Sequence, residues 1–144
     1  AQKIYSKLIQ TNKNISLFSK DNFRIDFSKK IILVDKIGYL ENLFSLADIA
    51  FIGGSLIPHG GQNFLEAVKF SLPISSGKSI YNFQQIAEDL MKISILQIGN
   101  SPEELSLIWQ NQLESHSEEI KNSSREYLNF RKGASKRALD ILPL

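Results

Sequence analysis

The sequence contains no cysteine, which removes disulfides, thiolate metal sites and cysteine nucleophiles from consideration. That absence fits a reducing compartment without requiring one. Long hydrophobic runs are missing too. Unbroken apolar stretches reach four residues, as at Ile31-Ile32-Leu33-Val34, against the roughly 20 needed to cross a bilayer, and no signal peptide is visible. Neither sign of charge dominates: 17 Lys and Arg stand against 15 Asp and Glu, a formal net charge of +2. A nucleic-acid footprint would gather basic residues on one face, so nothing argues for nucleic acid as a partner. The small basic groups at Lys29 and Lys30, and at Arg131, Lys132, Lys136 and Arg137, read as solvated faces. The second group also suits a peripheral enzyme resting on an anionic membrane surface. No repeat or low-complexity segment occurs.

What is present is a chain of 144 residues, 42% hydrophobic and 22% charged, the size and composition of one globular domain with a real core. It opens at Ala1 inside what already reads as a helix, which suggests a piece of a longer protein. Ile4, Tyr5, Leu8 and Ile9 have helical spacing over about residues 1–11. Ile15 to Phe18 reads as a strand, and the alternating Phe23, Ile25 and Phe27 as a loop or hairpin edge. Lys30 to Val34 is apolar on both faces, which predicts the middle of a parallel sheet. Leu40, Leu43, Phe44 and Leu46 then mark a helix opened by Gly38.

Asp48 to Ile52 is the next strand, followed by a glycine-rich loop and a helix over about 62–70. Pro73–Ser76 and Ile95–Ile98 read as strands around a helix at Asn82–Lys92. Ser101-Pro102-Glu103-Glu104 is a helix start, with Ser101 as cap and Glu104 closing a capping box. Beyond it the chain reads as mostly helical to Leu142, with a break near Gly133. Strands alternating with helices predict an α/β, Rossmann-like fold, a parallel sheet with helices on both faces, in a single domain over 1–144. The segment from about 117 to 144 reads as terminal helices that pack toward a second domain.

Such sheets bind ligands beyond the carboxyl ends of their strands. Two loops have that position: Asp35-Lys36-Ile37-Gly38-Tyr39 after one strand, and Gly53 to Asn63 after the next. The second holds four of the chain's eight glycines, Gly53, Gly54, Gly60 and Gly61, in nine positions. Two double-glycine turns ahead of a helix predict backbone N–H groups offered to a phosphate or carboxylate. Glu66, one turn into that helix, is placed to accept hydrogen bonds from the vicinal hydroxyls of a ribose. Neither GxGxxG nor a Walker loop is present, and Gly77-Lys78-Ser79 lacks the glycine five positions earlier, where Leu72 stands. His59 lies in the loop and is read as exposed unless it faces a ligand; His116 reads as surface. Trp109 follows Leu105 at helical spacing and reads as core packing. Ser55 has no nucleophile elbow around it, which leaves it a hydrogen-bonding role. Asp48 reads as a cap or turn residue, with no second carboxylate placed to bind a metal beside it.

Ala47-Asp48-Ile49-Ala50-Phe51-Ile52-Gly53-Gly54-Ser55-Leu56, then Gly60-Gly61-Gln62-Asn63-Phe64-Leu65-Glu66-Ala67, then Asn82-Phe83 and Gly133-Ala134, resemble the carboxyl-terminal domain of 3-deoxy-D-manno-octulosonic acid (Kdo) transferases. The resemblance covers roughly residues 30 to 140. It implies half of a GT-B fold, in which CMP-Kdo is bound mainly by this domain and without a metal cofactor. Ile37, Gly38 and Tyr39 match the family's Met-Gly-Glu turn at CMP, and Asn63, Phe64, Leu65 and Glu66 match its Asn-Pro-Leu-Glu segment. Glu66 is thereby assigned to the ribose, with Gly60, Gly61 and Asn63 on the phosphate or Kdo-carboxylate side and Gly54 and Ser55 beside them. Gln62 stands where the family has His, Phe64 where it has Pro, Tyr39 where it has Glu, and Lys36 where it has a small hydroxyl residue.

The resemblance further implies an inverting transfer of Kdo to a lipid A precursor at the cytoplasmic face of the bacterial inner membrane. The family's general base, a Glu, its membrane anchor and an HPxR-type phosphate segment have no counterpart in these residues. The chain alone is therefore expected to bind CMP weakly and to catalyse nothing. The alternatives are a GT-B enzyme with another sugar nucleotide, and a non-catalytic nucleotide-binding or regulatory domain using the same loop.

Overall fold

A computed structural model describes residues 2–11, 14–114 and 118–132. His116, Gly133-Ala134, Lys136, Arg137 and the remaining terminal segment lie outside these residues. The chain divides into two compact units, Ala1–Leu43 and Phe44–Leu144.

In the first unit the apolar triplets Ile15-Ser16-Leu17 and Ile31-Ile32-Leu33 become parallel strands, β1 (Ile15–Leu17) and β2 (Ile31–Leu33), with Ile15 opposite Ile31 and Leu17 opposite Leu33. The amphipathic helix α1 (Gln2–Thr11) precedes them and the short α2 (Leu40–Phe44) follows. β1 is fully buried, whereas β2 is half-buried along its length. The sequence predicts a central strand at β2; in this unit it pairs in a two-stranded sheet with β1. The reason is that apolar residues on both faces record burial, not which neighbour supplies the hydrogen bonds. Phe23 and Phe27 fall in turns and Ile25 in the irregular stretch between them, with Asn22 and Phe23 at positive φ.

The second unit is built on β3 (Ala50–Ile52), β4 (Ile74–Ser76) and β5 (Leu96–Ile98), all parallel and ordered as in the chain. Parallel neighbours need crossovers, supplied by α3 (Leu65–Lys69) and by a 3-10 turn at Tyr81–Phe83 that runs into α4 (Gln84–Lys92). Two longer helices follow, α5 (Pro102–Glu114) and α6 (Glu118–Lys132). The α/β class with parallel strands is as expected, but the strands lie in two sheets rather than one.

Phe64, Val68, Ile74, Leu90 and Ile95 have no exposed surface and form the centre of the second unit's core. Each such side chain contributes on the order of 1.5–3 kcal/mol by burial. β4 also buries two serines, whose hydroxyls donate to Ala50 O (3.3 Å) and Ile52 O (3.4 Å) on β3. Trp109 from α5 meets the ring of Phe51 edge-on and donates its indole N–H to Ser75 Oγ at 2.8 Å. Its spacing predicts core packing; it is instead half-buried against Phe51, outside the core cluster, with a hydrogen bond that spacing does not encode. The start of α5 is capped by Ser101 Oγ, which accepts from Glu104 N at 3.2 Å. The Glu104 carboxylate reaches back to Asn100 N at 2.7 Å, one residue beyond the capping-box position. Among the described residues no helix is long and apolar enough to cross a membrane.

Candidate functional site

The loop from Gly53 to Phe64 leaves the carboxyl end of β3, the end where parallel sheets take ligands. Gly54, Gly60 and Gly61 have φ of +70°, +89° and +78°, conformations that side chains with a Cβ rarely adopt. The loop closes on itself through Gly61 N, which donates to Gly54 O at 3.0 Å. His59 and Gln62, both exposed, lie against Gly54.

A second segment holds this loop from outside. Ser79 N donates to Ser55 O at 2.9 Å, Gly60 N donates to Ser79 Oγ at 3.1 Å, and Asn82 N donates to Gly60 O at 3.2 Å. The Asn82 amide donates to His59 O at 3.3 Å and the Tyr81 hydroxyl to Pro58 O at 3.5 Å. The approach is close enough that a Cβ on Gly60 would collide with the Asn82 amide and the Tyr81 ring. The sequence motifs named Asn82 without a task; nothing in its spacing shows that it grips a turn more than 20 residues earlier.

These contacts change how the glycines work. The double-glycine turns predict N–H groups offered to an anion, yet the amides of Gly60 and Gly61 are buried and donate within the protein. Buried N–H groups find protein acceptors because leaving one unpaired costs about 1–3 kcal/mol. Ser55 is likewise turned inward. Its hydroxyl donates to Ile52 O at 2.7 Å and accepts from Gly77 N at 2.8 Å, with no exposed surface. Phe64 is fully buried, edge-on to Phe83, so its ring serves the core and not a ligand. Asn63 Oδ1 accepts from Leu65 N at 3.1 Å. That bond closes a turn just ahead of α3, which starts at Leu65, three residues later than the helical pattern implies. Leu65 and Glu66 are half-buried in the first turn of α3.

In the first unit, the loop after β2 carries Ile37, Gly38 and Tyr39. Ile37 is fully exposed, and Gly38 has φ +94° with open space where a Cβ would stand. Tyr39 packs edge-on against Phe18 at 4.9 Å between ring centroids. Asp35 ties this loop to the one after β1, accepting from Ser19 Oγ at 2.6 Å and Ser19 N at 3.0 Å. The Ser19 hydroxyl, aided by its backbone N–H and by Lys36, holds the Asp35 carboxyl below its ordinary value.

A cavity of about 400 Å³ lies elsewhere in the second unit, at the amino ends of β3 and β4, lined by Asp48, Phe70, Leu72 and Gln112 among others. It is at the end of the sheet opposite the glycine loop, so the rule that places ligands at carboxyl ends favours the loop. Among the described residues no three His, Asp or Glu side chains gather as a metal site would require.

No family model matches the chain. Its sequence is 35% identical over 116 residues to the 3-deoxy-D-manno-octulosonic acid transferase of Haemophilus influenzae, covering 78% of this chain and 27% of that protein. The Chlamydia muridarum enzyme of the same name is 30% identical over 102 residues, 70% of this chain and 23% of that one. Among solved structures, the C-terminal CMP-Kdo binding domain of WaaA from Acinetobacter baumannii matches with a TM-score of 0.75 and 25% identity, covering 85% of this chain and 65% of that one. The chain is related to the carboxyl-terminal domain of the Kdo transferases. It spans about a quarter of the length of the Kdo transferases it matches. A bifunctional glycosyltransferase/methyltransferase of Fusobacterium nucleatum is also similar, 38% identical over 66% of this chain and 15% of that protein.

Proposed function

We propose that the chain is the donor-binding domain of an inverting glycosyltransferase, that its donor is CMP-Kdo, and that the acceptor is a lipid A precursor in lipopolysaccharide biosynthesis. One observation carries the reading: the fold matches a CMP-Kdo binding domain over 85% of this chain, and a loop with three positive-φ glycines stands at the carboxyl end of β3. Glu66 takes the ribose hydroxyls. Gly54, Gly60, Gly61 and Asn63 form the side toward the phosphate, the two buried amides setting the loop's shape and not touching the anion. Ser55, Phe64 and Leu65 support that shape from below, while Ile37, Gly38 and Tyr39 form the second nucleotide-contacting segment.

In this reading the donor is bound without a metal, and affinity is unchanged by a chelator. The general base and the acceptor contacts come from outside these residues, and the whole enzyme works at the cytoplasmic face of the inner membrane. These residues alone bind CMP weakly and transfer nothing.

Titration of the chain with CMP, UMP and UDP, followed by NMR, tests the reading. CMP is expected to bind best, shifting resonances of residues 37–39 and 60–66. A preference for UDP, or shifts that miss both segments, sinks the Kdo reading. Glu66→Ala is expected to lower CMP affinity about 10-fold or more, the scale of a hydrogen bond to a charged group, with an unchanged melting curve. Collapse of the fold instead would give Glu66 a structural task.

A further inference from the structure

The loop with the candidate site is held by more than its own bonds. Besides its own bonds from Gly61 N to Gly54 O, from His59 N to Ile57 O and from Ser55 Oγ to Ile52 O, its fixed points come from one short segment between β4 and α4. Ser79 meets the loop at both ends, through Ser55 O and Gly60 N. Tyr81 and Asn82 grip Pro58, His59 and Gly60 in the middle. The segment is itself anchored at Gly77, whose N–H donates to Ser55 Oγ. Asn82 uses both its backbone N–H and its side-chain amide on consecutive carbonyls, Gly60 O and His59 O. Two donors on adjacent carbonyls fix the rotation of the peptide between them, which single contacts do not.

We infer that Ser79–Asn82 is a strap that positions the glycine loop for its ligand, with Asn82 as the positioning residue. The inference rests on the reading of the loop as a nucleotide-donor site. Asn82 is exposed and outside the fully buried core, so its loss bears on the loop and spares the fold. The strap acts through the loop's conformation: without it His59, Gly60 and Gly61 sample other peptide orientations, and the ligand must select the competent one.

The test uses Asn82→Ala and Asn82→Asp. The second keeps the shape that Gly60 lies against but replaces the N–H donor to His59 O with a charged carboxylate oxygen, so its exchange is read at the glycines and the affinity comparison rests on Asn82→Ala. Amide hydrogen exchange is read at Gly60 and Gly61 and, for the core, at Ile74 and Leu96; CMP affinity is measured in parallel. Both variants are expected to speed exchange at the two glycines by about 3- to 10-fold, the scale of one net hydrogen bond. Core protection stays unchanged, and the CMP affinity of Asn82→Ala falls by a similar factor. Faster glycine exchange with unchanged CMP affinity overturns the positioning role, and so does exchange that rises equally in the core. If the unaltered chain binds no CMP, the donor reading fails by itself. The exchange arm then still decides whether the strap holds the loop.

Discussion

The loops after β2 and after β3 occupy equivalent places, each leaving the carboxyl end of a parallel strand, but they are held by opposite means. The loop after β3 is fastened by its neighbours: Ser79, Tyr81 and Asn82 reach its carbonyls and one of its amides, and Gly77 presses on the backbone at Ser55. The loop after β2 carries a fully exposed Ile37 and a Gly38 with open space around it, and is tethered by Asp35 to Ser19. One loop is set by contact and the other largely by the conformations its residues prefer. Glycine therefore means different things in the two: close approach at Gly60 and Gly77, backbone freedom at Gly38.

The comparison breaks first at Gly77. A Cβ there would run into the carbonyl of Ser55 and the amide of Leu56, both backbone atoms that cannot swing aside. Gly77→Ala is expected to cost about 2–3 kcal/mol, read as a fall in the urea midpoint. A neutral result would show that the strap and the loop separate at little cost. Gly38→Ala comes next. Its new methyl meets nothing, so the cost is the conformational strain of positive φ alone, about 1–2 kcal/mol. A loss as large as that of Gly77→Ala would mean that hidden contacts hold the loop after β2 as well.

The smallest effect belongs to Asp35. Its lowered pKa stabilises the fold above the ordinary aspartate value, and that contribution is lost as pH falls through the lowered value. Between pH 7 and 5 the Ser19 tether is thus intact, and it weakens below about pH 4. Thermal melts at descending pH are expected to show Asp35→Asn shallower than the parent in that acid window alone. Identical acid limbs would remove Asp35 as a tether.

Much of the fold was legible because hydrophobic spacing records burial directly. The residues of all five strands and the start of α5 at Ser101-Pro102 stand where the pattern put them. Pairing was less legible, since Ile31–Leu33 reads the same at the centre of a sheet and in the two-stranded sheet it joins with β1. At the candidate site, the glycines and their place after β3 were plain in the sequence, and so was the family they resemble. Which way their amides point was not.

What the sequence by itself determined, then, is the order of elements and the glycine run between β3 and α3, which follow from composition and spacing along the chain, and the kinship with Kdo transferases, which rests on the resemblance of its motif residues. Only the tertiary structure decided that Ser55 and Phe64 face inward, that Asn63 turns back to Leu65 N, and that the amides of Gly60 and Gly61 are already paired. The physical reason is that a buried polar group takes whatever acceptor the fold brings near it. For Gly60 that acceptor is the hydroxyl of Ser79, 19 residues away in sequence and 3.1 Å away in space.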